Sequence, residues 1–274
     1  MLKLLWIAPL FTVFSILPSF AFADSSRPIA LSEVIAQADL QVFVDEASGD
    51  LACEISNPTV YSVEGEVSAA SGTFNASYTD PGFQLHDGTG GVFVLTGSNL
   101  GYERGDRVRV TGTTHCTSAT LSLTDTSVSP APRKGPVVFA PRQIGELAVP
   151  PVILGDPEVT PNWCDCLNPF SATEGDTITV RGTAVADLET DKTYGFKLFL
   201  DDGTGVAQVF IDADSDVPVD RIRDRLLSEG TDLCVTGVVA QFAGVGFELL
   251  PRTRGDIRRA RPHKANPCRR RGRH

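Results

Sequence analysis

Two stretches of this chain place ring, amide and basic side chains at alternate positions. In the first these are Gln84, His86 and Phe93; in the second they are Lys197, Phe199, Gln208 and Phe210. On an extended strand every second side chain shares a face. A ring on such a face is a platform for flat ligand groups, and a neighbouring Lys, His or Gln adds charge or hydrogen bonds. That is the chemistry of holding a ligand. Sets that break bonds do not stand out. The four histidines, His86, His115, His263 and His274, belong to no nucleophile motif. No carboxylate pair is singled out either. The chain therefore reads as a non-enzyme.

Three other motifs suggest chemistry and fall short of it. Asp212-Ala-Asp214-Ser-Asp216 opens like a calcium loop, but that loop needs Gly at its sixth position and Glu at its twelfth, where this chain has Val217 and Arg223. Cys164-Asp-Cys166 is one close thiol pair with no second pair or His beside it, which is too little for zinc. Asp87-Gly-Thr-Gly90 and Asp202-Gly-Thr-Gly205 lack the Lys-Ser/Thr and the following helix of a phosphate loop; they read as hairpin turns needing positive φ. No metal and no cofactor is expected.

The doubled Asp-Gly-Thr-Gly turn marks a duplicated domain. Around it the alternation predicts strands at 60–67, 82–86, 91–96, 107–113 and 119–128, and again at 177–186, 194–201, 207–211, 232–240 and 246–250. The inward sets are Phe83, Leu85, Val92 and Val94, then Phe196, Leu198, Leu200, Ala207, Val209 and Ile211. Between the third and fourth strands of the second copy, Val219, Ile222, Leu226 and Leu227 share one face of a helix. Asp216 or its neighbour is its expected cap, Pro218 its first turn and Gly230 its stop. A second short helix is expected at 32–38, with Ser32 as cap.

This order predicts an all-β fold of two five-stranded Greek-key barrels in tandem, the second with a helix between its third and fourth strands. The wording resembles the OB-fold family known from tRNA-anticodon-binding and single-strand-binding domains, in an exported bacterial form. It does so through the Val-x-Gly strand, the Phe-x-Leu-x-Asp-x-Thr-Gly turn, and Pro251-Arg-Thr-Arg-Gly-Asp256-Ile257 after the last strand. The resemblance implies single-stranded nucleic acid as ligand on the face of strands two and three. Phe93, Phe199 and Phe210 would stack there; Lys197, Gln84, His86, Gln208 and the tail arginines would meet backbone and base edges. The alternative is a periplasmic or cell-surface module that uses the same face for a protein or glycan. The outward Phe residues could instead pack under the linker or against the other domain. Arg254-Gly255-Asp256 also spells an adhesion tripeptide, but the family pattern already accounts for that segment.

The remaining organisation follows from composition. Lys3 precedes an apolar run from 4 to 22 that closes with Ala21-Phe-Ala23, the form of a signal peptide cut after Ala23. A secreted or periplasmic location, with no membrane span after cleavage, is the expectation. The expected divisions are a signal peptide (1–23), a lead-in (24–58), a first barrel (59–132), a linker (133–172), a second barrel (173–258) and a basic tail (259–274). Nine of the 18 prolines fall in 130–169. Gln143-Ile-Gly-Glu-Leu147 resembles the lead-in, so each barrel could have such an element. Residues 24–251 hold 33 acidic and 13 basic side chains, a net of −20; residues 252–274 hold ten basic and one acidic, a net of +9. An acidic body repels nucleic acid at long range, and the tail could do the opposite locally. The six cysteines, Cys53, Cys116, Cys164, Cys166, Cys234 and Cys268, suggest disulfides in an exported chain. Correspondence between the copies pairs Cys53 with Cys116, and Cys234 with Cys164 or Cys166, leaving one cysteine for Cys268.

Overall fold

The computed structural model describes residues 27–38, 40–44, 51–74, 81–117, 120–132, 142–144, 175–242, 246–261 and 268. The expected signal peptide (1–23), most of the expected linker (133–172), Cys164, Cys166 and the last six residues lie outside them.

A short helix, α1 (Leu31–Gln37), and a hairpin of β1 (Leu40–Val44) and β2 (Leu51–Ile55) precede the first barrel. The hairpin was not anticipated from the sequence. The first barrel comprises β3 (Val60–Ala69), β4 (Phe83–His86), β5 (Gly91–Val94), β6 (Arg107–Thr117) and β7 (Thr120–Pro130). It closes in the order β3-β4-β5-β7-β6, with β5 and β7 parallel. The second begins with β8 (Thr177–Ala184), the short edge strand β9 (Glu189–Asp191), β10 (Gly195–Asp201) and β11 (Val206–Asp212). After α2 (Val219–Leu226) come β12 (Asp232–Phe242), β13 (Gly246–Leu250) and β14 (Ile257–Arg259). Its ring runs β8-β10-β11-β13-β12, again with the third and fifth strands parallel. This shared order is that of the OB fold. β14 adds to β12 outside the ring.

Alternation fills the barrels as expected. Phe83, Leu85, Val92 and Val94 lie in one core; Leu198, Leu200, Ala207, Val209 and Ile211 lie in the other, with Phe196 packed against it. The two cores share no residue. A third, smaller cluster joins Ala69 and Phe74 of the first barrel to Phe210, Val238, Ala240 and Leu250 of the second.

The doubled turn does more than reverse the chain. Gly88 and Gly203 take φ of 96° and 86°, the left-handed region that glycine tolerates. Beside them Asp87 Oδ1 accepts the N–H of Thr89 and Gly90, while Oδ2 accepts the Leu31 N–H at 2.8 Å. Asp202 repeats this: Oδ1 accepts the Thr204 N–H, and Oδ2 accepts the Ile144 N–H at 2.8 Å. A second contact is repeated too, Ile29 N–H to Ser62 O and Arg142 N–H to Thr179 O, both at 2.9 Å. Leu31 and Ile144 are buried in the two cores. Each barrel is thus plugged by its own lead-in, held by the turn carboxylate. Burial alone would raise the Asp202 carboxyl, but hydrogen bonds from Thr204, Ile144 and Gly205 hold it below the usual range.

The same clasp corrects the first cap. The Leu31 and Ser32 N–H groups open α1 and are satisfied by Asp87 and Thr89 Oγ1 from the turn, so Ser32 is not the cap. Asp216 does not cap α2 either. Pro218 holds that position, without a side-chain hydrogen bond, and the Asp216 backbone is bridged to Arg252 and Arg254.

Candidate ligand face and the joint between the barrels

The predicted site residues divide into covered and open sets. All point out of their barrels, but most do not reach solvent. Gln84, His86 and Phe93 are buried, as are Gln208 and Phe210, the last only 6% exposed. Phe210 sits in the cluster shared by the barrels. Gln84 Nε2 donates to Gly175 O at 2.6 Å, across to the segment that leads into β8. Gln208 Nε2 donates to Glu248 Oε2 at 2.8 Å. Only Lys197 and Phe199 remain half-open, and the Lys197 ammonium lies 2.8 Å from Asp191.

Around Phe199 the outer face of the second barrel is accessible. Leu200 pairs with Ala184 and Asp201 with Thr183, and the Val185 N–H donates to Phe199 O. Val185 and Val206, 44% and 58% exposed, lie on either side of β10, Val206 opposite Asp201. Next to this strip is an open depression of about 550 Å³, lined by Arg181, Thr183, Val185, Asp201, Asp202 and Asp232. Arg181 donates its Nε and Nη2 to the two oxygens of Asp232.

One ladder further on, β12 presents Cys234 outward, opposite Arg181 on β8 and Arg258 on β14. Cys234 is fully buried because Cys268 is bonded to it. This replaces the expected bridge to Cys164 or Cys166. Register explains the error. Val110 faces Val63 and Val235 faces Val180, so Cys116 is six residues beyond its reference valine and Cys234 one before. The two cysteines sit at opposite ends of their strands. Cys116 is also disulfide-bonded; its expected partner Cys53 has a side chain outside the described set. Arg259 extends the basic edge and donates Nε and Nη2 to the Arg225 carbonyl of α2.

The joint carries buried ionisable groups. Arg252, 3% exposed, grips Asp256 through Nε and Nη2 at 3.0 and 3.1 Å, and reaches across with Nη1 to Ser68 O at 2.9 Å. With the Asp256 carboxylate so enclosed, Arg254-Gly255-Asp256 cannot present an acid to an adhesion receptor. His86 Nε2 lies 3.7 Å from Asp176 Oδ1. Burial pushes the imidazole down to about 4 and the carboxyl up to about 7. They therefore meet as neutral imidazole and protonated acid over most of the acid range, not as an ion pair. Free in water the same pair would carry its single proton on His86. The proton count is equal, so docking them costs free energy with little pH dependence.

Glu248 differs. Burial, with smaller contributions from Asp212 and Asp191, outweighs Gln208 and Lys197 and pushes its carboxyl up to about 7 from 4.5. The folded chain keeps that proton where the unfolded chain has lost it, so its share of stability falls as pH rises from 4.5 to 7. Glu248→Gln is expected to flatten that dependence by roughly 3 kcal/mol, read by urea unfolding across the window. An unchanged slope would contradict the burial.

Among the described residues no His/Cys/Asp/Glu group could hold a metal, and no helix is long and apolar enough to cross a membrane. No protein-family model and no curated protein matches the chain. Solved structures similar to it include an aspartyl-tRNA synthetase from Entamoeba histolytica, at 19% identity and TM-score 0.25, covering 30% of this chain and 18% of that one. The chain thus spans less than a fifth of that protein. Another is the Ifi202 HINa domain in complex with 20-base-pair double-stranded DNA, at 11% identity and TM-score 0.32, covering 71% and 94%. A third is a deletion mutant of the single-stranded DNA binding protein from Thermus aquaticus, at 10% identity and TM-score 0.24, covering 83% and 93%. The strand order defines the class, a tandem OB-fold protein.

Proposed function

We propose that the chain is an exported binding protein whose second barrel takes single-stranded nucleic acid on the outer face of β8 and β10. Phe199 is the stacking platform, with Val185 and Val206 on either side of its strand. The observation that carries the reading is the Cys234–Cys268 bond. It anchors the tail on β12, with Arg269, Arg270, Arg271 and Arg273 still to follow. By strand spacings Phe199 is roughly 16 Å from Cys234, within the reach of six extended residues, about 20 Å. Arg181 and Lys197 are already engaged by Asp232 and Asp191, and the tail sequence would bring four further arginines.

The test is anisotropy of a labelled oligothymidylate at about 50 and 200 mM salt, where phosphate contacts separate strongly. Phe199→Ala is expected to weaken binding about tenfold. Replacing the four tail arginines by Ala should remove most of the salt dependence. No binding by the full mature chain at low salt would end this reading. The acidic depression beside Thr183 favours a second one, a neutral glycan whose hydroxyls donate to Asp201 and Asp232. Salt-independent binding of a neutral oligosaccharide would support it instead.

A further inference from the structure

We propose that the first barrel is a lid closed over half of the second barrel's ligand face; the inference rests on the nucleic-acid reading of that face. Phe199 and Phe210 belong to one surface. Phe199 is paired with Gln208, two residues before Phe210 on β11, which makes Phe199 and Phe210 diagonal neighbours with backbones about 7–8 Å apart. One ring is open and the other lies under Ala69 and Phe74. A strand stacking on Phe199 and continuing across β11 meets the first barrel. Lifting it uncovers Phe210 and, on the lid itself, Gln84, His86 and Phe74. The stacking surface becomes a cleft with two walls.

The joint is built so that separation damages neither barrel. Each has its own closed ring, its own core and its own clasped lead-in. Among the described residues, the shared cluster of six apolar residues joins them, together with polar contacts that include Arg252 to Ser68, Gln84 to Gly175, the Gly91 N–H to the Asp176 carboxylate, and Arg104 to Thr253 and Asp256. Against these stands the desolvation of His86 and Asp176. Barrels held by so few apolar contacts move relative to one another by default.

Gly91 gives the means of opening it. A Cβ there would overlap the Gly175 carbonyl, and the three atoms nearest to it all belong to Gly175 and Asp176. The closest overlaps of an alanine methyl therefore lie across the joint. In Gly91→Ala the radius of gyration by small-angle scattering should rise while circular dichroism stays unchanged. Oligothymidylates of increasing length should then bind about tenfold tighter than to wild type, one further stacked base being enough for this, and affinity should level off at a longer oligomer. A variant that stays compact overturns the lid, as does one that opens with affinity and site size unchanged; wild-type binding then leaves the proposed function standing. Binding by neither protein removes both.

Discussion

Arg252→Ala is expected to destabilise the chain by about 3–5 kcal/mol, the usual penalty for stripping one partner from a buried ion pair. Asp256 has no exposed surface. Its carboxylate accepts two bonds from the Arg252 guanidinium, and Oδ2 also accepts the backbone N–H of Arg252 and Thr253. Removing the guanidinium leaves a buried charge with those backbone donors and the half-exposed Arg104 3.7 Å away. Arg252→Lys keeps a charge but not the fork, and should fall between. Urea unfolding reads both. A loss below 1 kcal/mol in the alanine variant would mean that water enters the site and that the pair is not buried. Arg252 Nη1 also binds Ser68 O, so this variant should loosen the joint as well. Scattering separates that effect from local unfolding.

The second large effect concerns the turn carboxylates. Asp87→Ala and Asp202→Ala are each expected to cost about 3 kcal/mol, several charge-assisted bonds being lost at once and a buried N–H left unmatched. Each should release only its own lead-in: exchange should quicken at Leu31 and Val34 in the first variant, and at Ile144 in the second. The sites lie in barrels with separate cores, so the double variant should show the sum of the two losses. Hydrogen exchange on the two single variants decides it. Uniform acceleration across both barrels would show that the lead-ins do not act as independent plugs.

Period-two alternation settled the inside of both barrels because it depends only on neighbours along the strand. The ten residues read as inward, four from Phe83 to Val94 and six from Phe196 to Ile211, all lie in or against a core. The outside was legible only as a direction. Whether an outward Phe meets water depends on what packs over it. For Phe210 that is Phe74, 136 positions earlier in the chain. Aligning the copies does hold a hint. The pair Phe83–Val94 matches Leu198–Val209, which sets Gln84 against Phe199 and Phe93 against Gln208. Outward residues that differ so much at matched positions point to faces with different tasks. The disulfide was misread because equivalence was judged by strand and not by register along it. The lead-in clasp was half legible: the likeness of the two segments was visible, but the acceptor was not, since the turn aspartates read fully as turn formers.

The clasp also bears on how this chain came to have two halves. Leu31 and Ile144 are 113 positions apart, Asp87 and Asp202 115, Ser62 and Thr179 117. Spacings this close mean that plug, first strand and turn travelled together when the ancestral segment was copied. The inherited unit therefore began ahead of the barrel, at the plug. The stretch between the halves is a composite: its end belongs to the second copy by descent, and only the remainder is connector.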